Sequence, residues 1–246
     1  MNWTDEGLLL SVNPHGEKSA IIQVLTRTKG LHAGIIQNAF SKKMSPILQP
    51  SSQIYLNWSS RLEEHLGNYK VDLLKTRADI FLGNKLALDV FNSLSSLCIS
   101  TLAERDPIPE FYKKTIKFID QIVNQKKWEF SYLGWELDLL TSIGYGLDLK
   151  KCVVTGTSEN LFYISPKSGK AVCRDKGLKY DEKLMRFPDI LRDEEKDNEF
   201  TRSELVAGLS ITGFFLKKWL TFSLQNKQTM KIRQRLIDTL SNEEYK

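Results

Sequence analysis

Cysteine and histidine are scarce, with three of each in 246 residues. Cys98, Cys152 and Cys173 are too few and too scattered for a secreted disulfide framework. His15, His32 and His65 have no Cys, Ser or carboxylate at a spacing that suggests a triad or a metal cluster, and they read as turn or surface histidines. Long apolar runs are missing as well. A membrane-spanning helix takes about 20 apolar residues, and no stretch approaches that. Leu8-Leu9-Leu10 follows Asp5 and Glu6, unlike the basic start and longer apolar stretch of an export signal. The expected compartment is therefore the cytoplasm. There is no phosphate-binding P-loop, no G-x-G-x-x-G after a strand and no H-E-x-x-H. Adjacent carboxylates such as Glu63-Glu64 and Glu194-Glu195 read as solvated faces. No active site is legible, so an enzyme is not expected, and neither is a cofactor or a metal.

What is present suits a globular protein: 41% hydrophobic and 26% charged residues, enough to build a core without staples. Thirty-five basic against 30 acidic residues leave a net charge of +5. That excess permits a polyanionic partner without demanding one.

The first 75 or so residues read as short strands: Leu8 to Val12, Ala20 to Thr26, Leu31 to Gln37, Gln53 to Trp58 and Leu66 to Leu73. Turn signals such as Asn13-Pro14-His15-Gly16, Lys29-Gly30 and Gln49-Pro50-Ser51-Ser52 separate them. Five strands in so short a stretch must hide two edges, which a closed or nearly closed barrel does. The period then becomes helical: one helix from Arg77 to about Leu102, a second from about Glu110 to Asn124, and a third from about Phe130 to Ile143 that stops at Gly144-Tyr145-Gly146. Asn160 to Ile164 and Lys170 to Arg174 flank Ser165-Pro166-Lys167-Ser168-Gly169 as a hairpin. Asp193 to Glu199 reads as a charged linker. Thr201 and Glu204 form a capping box that opens a further helix, and a last helix spans about Thr229 to Leu240. Strands followed by helices argue for an α+β chain of separate β and α parts: residues 1–76 as barrel, and residues 77–246 as a helical domain with a small β insert at about 149–180.

Small barrels of the OB type hold single-stranded nucleic acid with basic groups for phosphates and aromatics for bases. Arg27 and Lys29 lie at a strand end, Lys42 and Lys43 in the long loop between the third and fourth strands, and Arg61 and Lys70 flank the next hairpin. Tyr55, Trp58 and Tyr69 are aromatics of the same segment. The plain alternative is solvated lysines and barrel-core aromatics. Tyr112, Lys113, Lys114 and Lys117 form a second basic cluster, suited to an acidic peptide. Lys217-Lys218, Lys227, Lys231, Arg233 and Arg235 form a third, part of which a helix C-terminus favours for dipole reasons alone.

Several blocks stand in an order that resembles the bacterial recombination mediator RecO family of DNA repair: Gly7-Leu8-Leu9-Leu10 to Gly16-Glu17-Lys18-Ser19, Thr26-Arg27-Thr28-Lys29-Gly30, and Leu48-Gln49-Pro50. Leu137-Asp138-Leu139-Leu140, Ile143-Gly144-Tyr145-Gly146-Leu147-Asp148-Leu149 with Cys152, and Tyr163-Ile164-Ser165-Pro166-Lys167-Ser168-Gly169 follow, and Arg233-Gln234-Arg235-Leu236 closes the series. The resemblance implies an N-terminal OB-fold, a central helical domain and, in some members, a zinc-ribbon-like insert. It also implies binding of single- and double-stranded DNA, annealing, and loading of recombinase onto strands coated by single-strand binding protein. The implied partners are RecR and the acidic, hydrophobic tail of that binding protein. On this resemblance Arg27, Lys29, Lys42, Lys43, Arg61 and Lys70 are the candidate DNA contacts, and Tyr112, Lys113, Lys114 and Lys117 the candidate peptide contacts. An adaptor that grips acidic tails and meets DNA only indirectly is the alternative.

The chain departs from the family pattern in two places. Zinc-carrying members have two C-x-x-C pairs, whereas here Cys152 is followed at the required spacing by Thr155 and Cys173 by Lys176, so the insert is expected to be metal-free. It would hold instead by packing of Leu161, Tyr163 and Val172. Leu31 and Gln37-Asn38-Ala39 stand where the family's barrel often carries a basic residue and a Lys-Gly-Ala.

Overall fold

A computed structural model describes residues 1–124, 128–192, 200–219 and 224–241. The chain forms two compact units, Met1–Lys126 with Lys231–Leu236 and Lys127–Met230 with Ile237–Lys246.

The first unit opens with five strands, β1 (Asn2–His15), β2 (Ser19–Thr26), β3 (Gly30–Ile36), β4 (Gln53–Ser59) and β5 (Asn68–Lys75). They close into a barrel in the order β1-β2-β3-β5-β4, with β3 and β5 parallel where they meet and the other pairs antiparallel. This is the OB-fold. Closure depends on β1, whose first half pairs with β4 and whose second half pairs with β2. A bulge between Leu9 and Ser11 supplies the bend such a shared strand needs. Alternation then fills the interior: Ile54, Leu56 and Trp58 point in while Tyr55 and Asn57 point out. Leu9, Ile22, Val24, Ile36, Tyr69 and Val71 complete that core.

The helical stretch after the barrel is broken where one helix was expected. α1 (Ala78–Gly83) and α2 (Lys85–Thr101) are separated at Asn84, an extended residue whose side chain caps α2 by accepting the Ala87 N–H at 3.0 Å. The apolar period runs through this point, but Gly83-Asn84 ends one helix and starts the next. α2 meets the barrel through Ser95, whose hydroxyl donates to the Leu10 carbonyl at 2.7 Å. α3 (Pro109–Asn124) buries Phe111, Phe118, Ile119 and Ile122 along one face. Arg77, 1% exposed, ties α3 to the barrel. Its Nε donates to Asp120 at 2.9 Å and its terminal nitrogens to the Ser51 carbonyl and Gln53, at 3.3 and 3.2 Å.

The second unit contains α4 (Glu129–Ser142), a three-stranded sheet of β6 (Leu161–Ile164), β7 (Ala171–Cys173) and β8 (Met185–Arg186) in the order β7-β6-β8, the one-turn α5 (Arg174–Gly177) and α6 (Arg202–Trp219). The expected hairpin is β6–β7; β8 is a third strand that two residues are too few to announce. Leu161, Tyr163 and Val172 pack together as expected, and Cys152 and Cys173 join them in the insert's small core. Gly177 is required there, since a Cβ would lie 2.2 Å from the Tyr163 ring. α6 opens on the expected capping box: the Glu204 N–H donates to Thr201 Oγ1 at 3.3 Å and the Thr201 N–H donates to the Glu204 carboxylate at 2.8 Å. α7 (Leu224–Ser241) follows. The Asp193 to Glu199 linker lies outside the described residues. No helix among the described residues is long and apolar enough to cross a membrane.

Candidate nucleic-acid interface

The barrel displays its expected cations on connecting turns and on an outer strand face. Arg27 and Lys29 occupy the β2–β3 turn, Lys42 and Lys43 the β3–β4 loop, and Arg61 the β4–β5 loop. Lys70 faces outward on β5 opposite Asn57 of β4; all six are exposed. Arg27 pairs with Glu6 at 3.4 Å. Lys29, Lys42, Lys43, Arg61 and Lys70 have no ion pair among the described residues. The β4–β5 loop beside Arg61 is held by Arg105, which donates to the carbonyls of Glu63, Glu64 and His65. Sequence reasoning missed Arg105, because its partners lie 40 or more residues earlier. Among the aromatics, Trp58 and Tyr69 are core residues at 1% and 4% exposure, whereas Tyr55, at 42%, is open to solvent beside Asp72 and Glu6.

His32 corrects the expectation of a surface histidine. It is 3% exposed and sits among Trp3, Trp58 and Tyr69, with ring centroids 4.9 to 5.8 Å away. The Tyr69 hydroxyl lies 2.7 Å from its Nδ1. Burial, with help from the positive charge of Arg105, lowers its pKa from 6.5 to about 4. Burial likewise raises the Tyr69 phenol well above its ordinary value. The ring is a neutral structural piece of the barrel at neutral pH. His15 and His65 are exposed, as expected.

Residues from both expected clusters meet in one groove. Arg27 and Glu6 of the barrel and Tyr112, Lys113, Ile116 and Lys117 of α3 line an open cavity of about 560 Å³. Tyr112 is buried, and its hydroxyl accepts a hydrogen bond from Gln53 at 3.3 Å. Lys113 pairs with Glu110 at 2.6 Å, while Lys117 has no ion pair among the described residues. Lys114 is exposed and does not line the groove. Asp120 lies at the groove's edge. Its burial would raise its pKa, but hydrogen bonds from Lys75 and Arg77 outweigh this and hold the carboxyl below its ordinary value. Of the third basic cluster, Lys217, Lys218, Lys227, Lys231 and Arg235 are exposed and Arg233 is buried.

The insert's donor set does not fit zinc. Cys152 Sγ accepts the Cys173 N–H at 3.2 Å, and the Thr155 hydroxyl lies 3.8 Å from Cys173 Sγ. Two thiols with a hydroxyl and a lysine do not close a tetrahedral structural site. Burial raises the Cys152 pKa, yet hydrogen bonds from Thr155 and from the amides of Cys173, Thr155 and Val154 bring it down to about 6.

A closed five-stranded barrel with exposed cations, followed in the chain by helices and a ribbon-like insert, defines an OB-fold protein with a helical part. Residues 1–77 match the family model described as Recombination protein O N terminal, and residues 87–227 the one described as Recombination protein O C terminal. The DNA repair protein RecO of Ruegeria sp. (strain TM1040) is 40% identical over 241 residues, covering 98% of this chain and 99% of that protein. The one from Dinoroseobacter shibae is 38% identical over 241 residues and 98% of each chain, and the one from Rhodopseudomonas palustris 39% identical over 218 residues, 88% and 87% of the two chains. The chain belongs to the RecO family, whose members serve DNA repair and recombination.

Proposed function

We propose that the chain is a non-enzymatic recombination mediator. It binds single- and double-stranded DNA, promotes annealing of complementary strands and helps load recombinase onto DNA coated by single-strand binding protein. It acts in the cytoplasm, with RecR and the acidic tail of the single-strand binding protein as partners. Residues 1–76 are the nucleic-acid-binding part, and residues 77–246, with the insert at about 149–180, carry partner contacts. The observation that supports this most is the set of exposed barrel cations that make no ion pair among the described residues, Lys29, Lys42, Lys43, Arg61 and Lys70, to which Arg27 is added. Such groups gain most from phosphates, because each contact releases a condensed counterion. Annealing breaks no covalent bond; neutralising strand repulsion while two backbones are held close is sufficient.

Reversing Lys42 and Lys43 to Glu in the full chain tests this reading. Affinity should fall for all sequences, and the salt dependence should flatten by about 0.7–0.9 in log–log slope for each phosphate that is no longer neutralised. An unchanged affinity and slope would remove the loop from the interface.

The groove favours the adaptor as a second reading. Ile116 offers apolar surface over the buried Tyr112, and Lys113, Lys117 and Arg27 offer charge to an acidic, hydrophobic peptide. Lys113→Glu with Lys117→Glu should weaken binding of an acidic tail peptide to the full chain by more than it weakens DNA binding, which the Lys42–Lys43 loop and Arg61 still supply. Unaltered peptide affinity would exclude the groove.

A further inference from the structure

The Gly144-Tyr145-Gly146 stop has no task in the barrel or the groove. It ends α4 with a left-handed Gly144 at φ 84° and a Tyr145 N–H that donates back to the Leu140 carbonyl at 2.8 Å. That turn leaves Tyr145 41% exposed. Trp219, at the end of α6, is 38% exposed, and the two rings stack almost parallel, 4.3 Å between centroids and 7° between planes. The Lys218 ammonium lies 4.5 Å over the indole and is pinned by the carbonyls of Pro166 and Lys167 at 2.9 and 2.8 Å.

The same three stretches of chain concentrate positive charge. Asp148 donates its N–H to the Gly169 carbonyl and pairs with Lys170 at 3.7 Å, so residues 144–151 run beside the 165–170 loop. Lys218 brings the end of α6 to that loop. Lys150, Lys151, Lys167, Lys170, Lys217 and Lys218 are all exposed there, and the only acid in these stretches is Asp148. An aromatic left in water beside lysines is the element of a single-strand site: the Tyr145 ring, backed on one face by Trp219, leaves its other face for any base, and the cations track the phosphates.

We infer that Tyr145 and Trp219, with the lysines around them, form a base-stacking platform for single-stranded nucleic acid in the second compact unit. It is separate from the barrel's phosphate contacts, and it rests on the nucleic-acid reading proposed above. A protein with a duplex-tolerant barrel and a platform that grips only unpaired bases can hold one strand open while another is offered.

Tyr145→Ala in the full chain tests it. Affinity for oligo(dT) should drop about 10-fold, with duplex affinity held within about twofold, and Tyr145→Phe should restore the loss because it keeps the ring. A thiothymidine-containing oligo(dT) irradiated on the wild-type chain should crosslink to peptides carrying residue 145 or 219, a measurement that needs no variant. Crosslinks confined to the barrel, or oligo(dT) affinity unchanged in a folded Tyr145→Ala, would overturn the platform. So would a Tyr145→Ala that loses only an acidic peptide, which would assign the surface to a protein partner. Lys42→Glu with Lys43→Glu, measured in parallel, keeps the two ideas apart. A loss there with Tyr145→Ala silent leaves the barrel reading and removes the platform; the reverse pattern does the opposite.

Discussion

The barrel and the insert are both small β structures, and they solve the problem of stability differently. The barrel has no free edge, and it buries a contiguous core from Leu9 through Ile22, Leu56 and Trp58 to Val71. The insert keeps edges, and its hydrophobic cluster is small, Cys152, Tyr163, Val172 and Cys173 beside half-buried neighbours. It compensates with specific polar ties: amides on the Cys152 sulfur, the Tyr163 hydroxyl on Asp181 at 2.7 Å, and Arg174, Arg186 and Arg192 gathered 4.7 to 5.7 Å from the Phe162 ring. Closure makes stability a property of the whole barrel, whereas a ribbon whose donor set does not fit zinc must earn it tie by tie.

The sharpest way to break this contrast is Trp58→Ala. Removing a 1%-exposed indole from a close-packed barrel should cost about 3–5 kcal/mol and unfold the module cooperatively in urea. A loss below about 1 kcal/mol would mean the barrel is not the rigid partner. Asp120→Ala comes next. It leaves the buried Arg77 guanidinium without its carboxylate, and unfolding free energy should fall by about 2–4 kcal/mol, less if Gln53 and the Ser51 carbonyl take up the charge.

Acid separates the two structures by window. His32 has a folded pKa near 4 against 6.5 when free, so between those values the unfolded chain binds a proton that the folded barrel refuses. Barrel stability should fall by about 2–3 kcal/mol as pH drops from 6.5 to 4, and His32→Phe should flatten that slope in pH-dependent melting. Cys152 has a folded pKa near 6 against 9.0. Its contribution is full above pH 9 and is lost as pH falls towards 6, so the insert should weaken in a higher window. Thiolate absorbance of Cys152, read against a Cys152→Ala reference, locates that transition, and Thr155→Ala should shift it upward. A single transition common to both would erase the distinction.

The smallest effect belongs to the insert's apolar core. Val172→Ala removes two methyl groups and should cost about 1.5 kcal/mol, seen as faster amide exchange in β6 and β7 while the barrel's protection is unchanged.

Local pattern revealed the strands wherever alternation was clean, as in Gln53–Ser59, and it revealed the Thr201–Glu204 cap because both partners sit within one turn. It lost the first half of β1, where Asp5 and Glu6 argue against a strand. Asp5 is buried all the same, because the Thr28 N–H and hydroxyl donate to it at 2.7 and 2.9 Å from a turn 23 residues away. His32 was misjudged for the same reason, since the tyrosine that satisfies it lies 37 residues on. The candidate cations were legible as residue types and as loop positions. That Arg27 shares a groove with Tyr112, Lys113 and Lys117 was not, because no spacing in the chain encodes the approach of α3 to the β2–β3 turn.

Arg77 also governs how the molecule can be cut. A fragment ending just before it would strip the Ser51 carbonyl and Gln53 of their donor, and one ending just after it would leave a permanent charge without the Asp120 carboxylate. Dissection at the bench should therefore carry the barrel through at least Asn124, so that the arginine keeps its partners on both the barrel and α3.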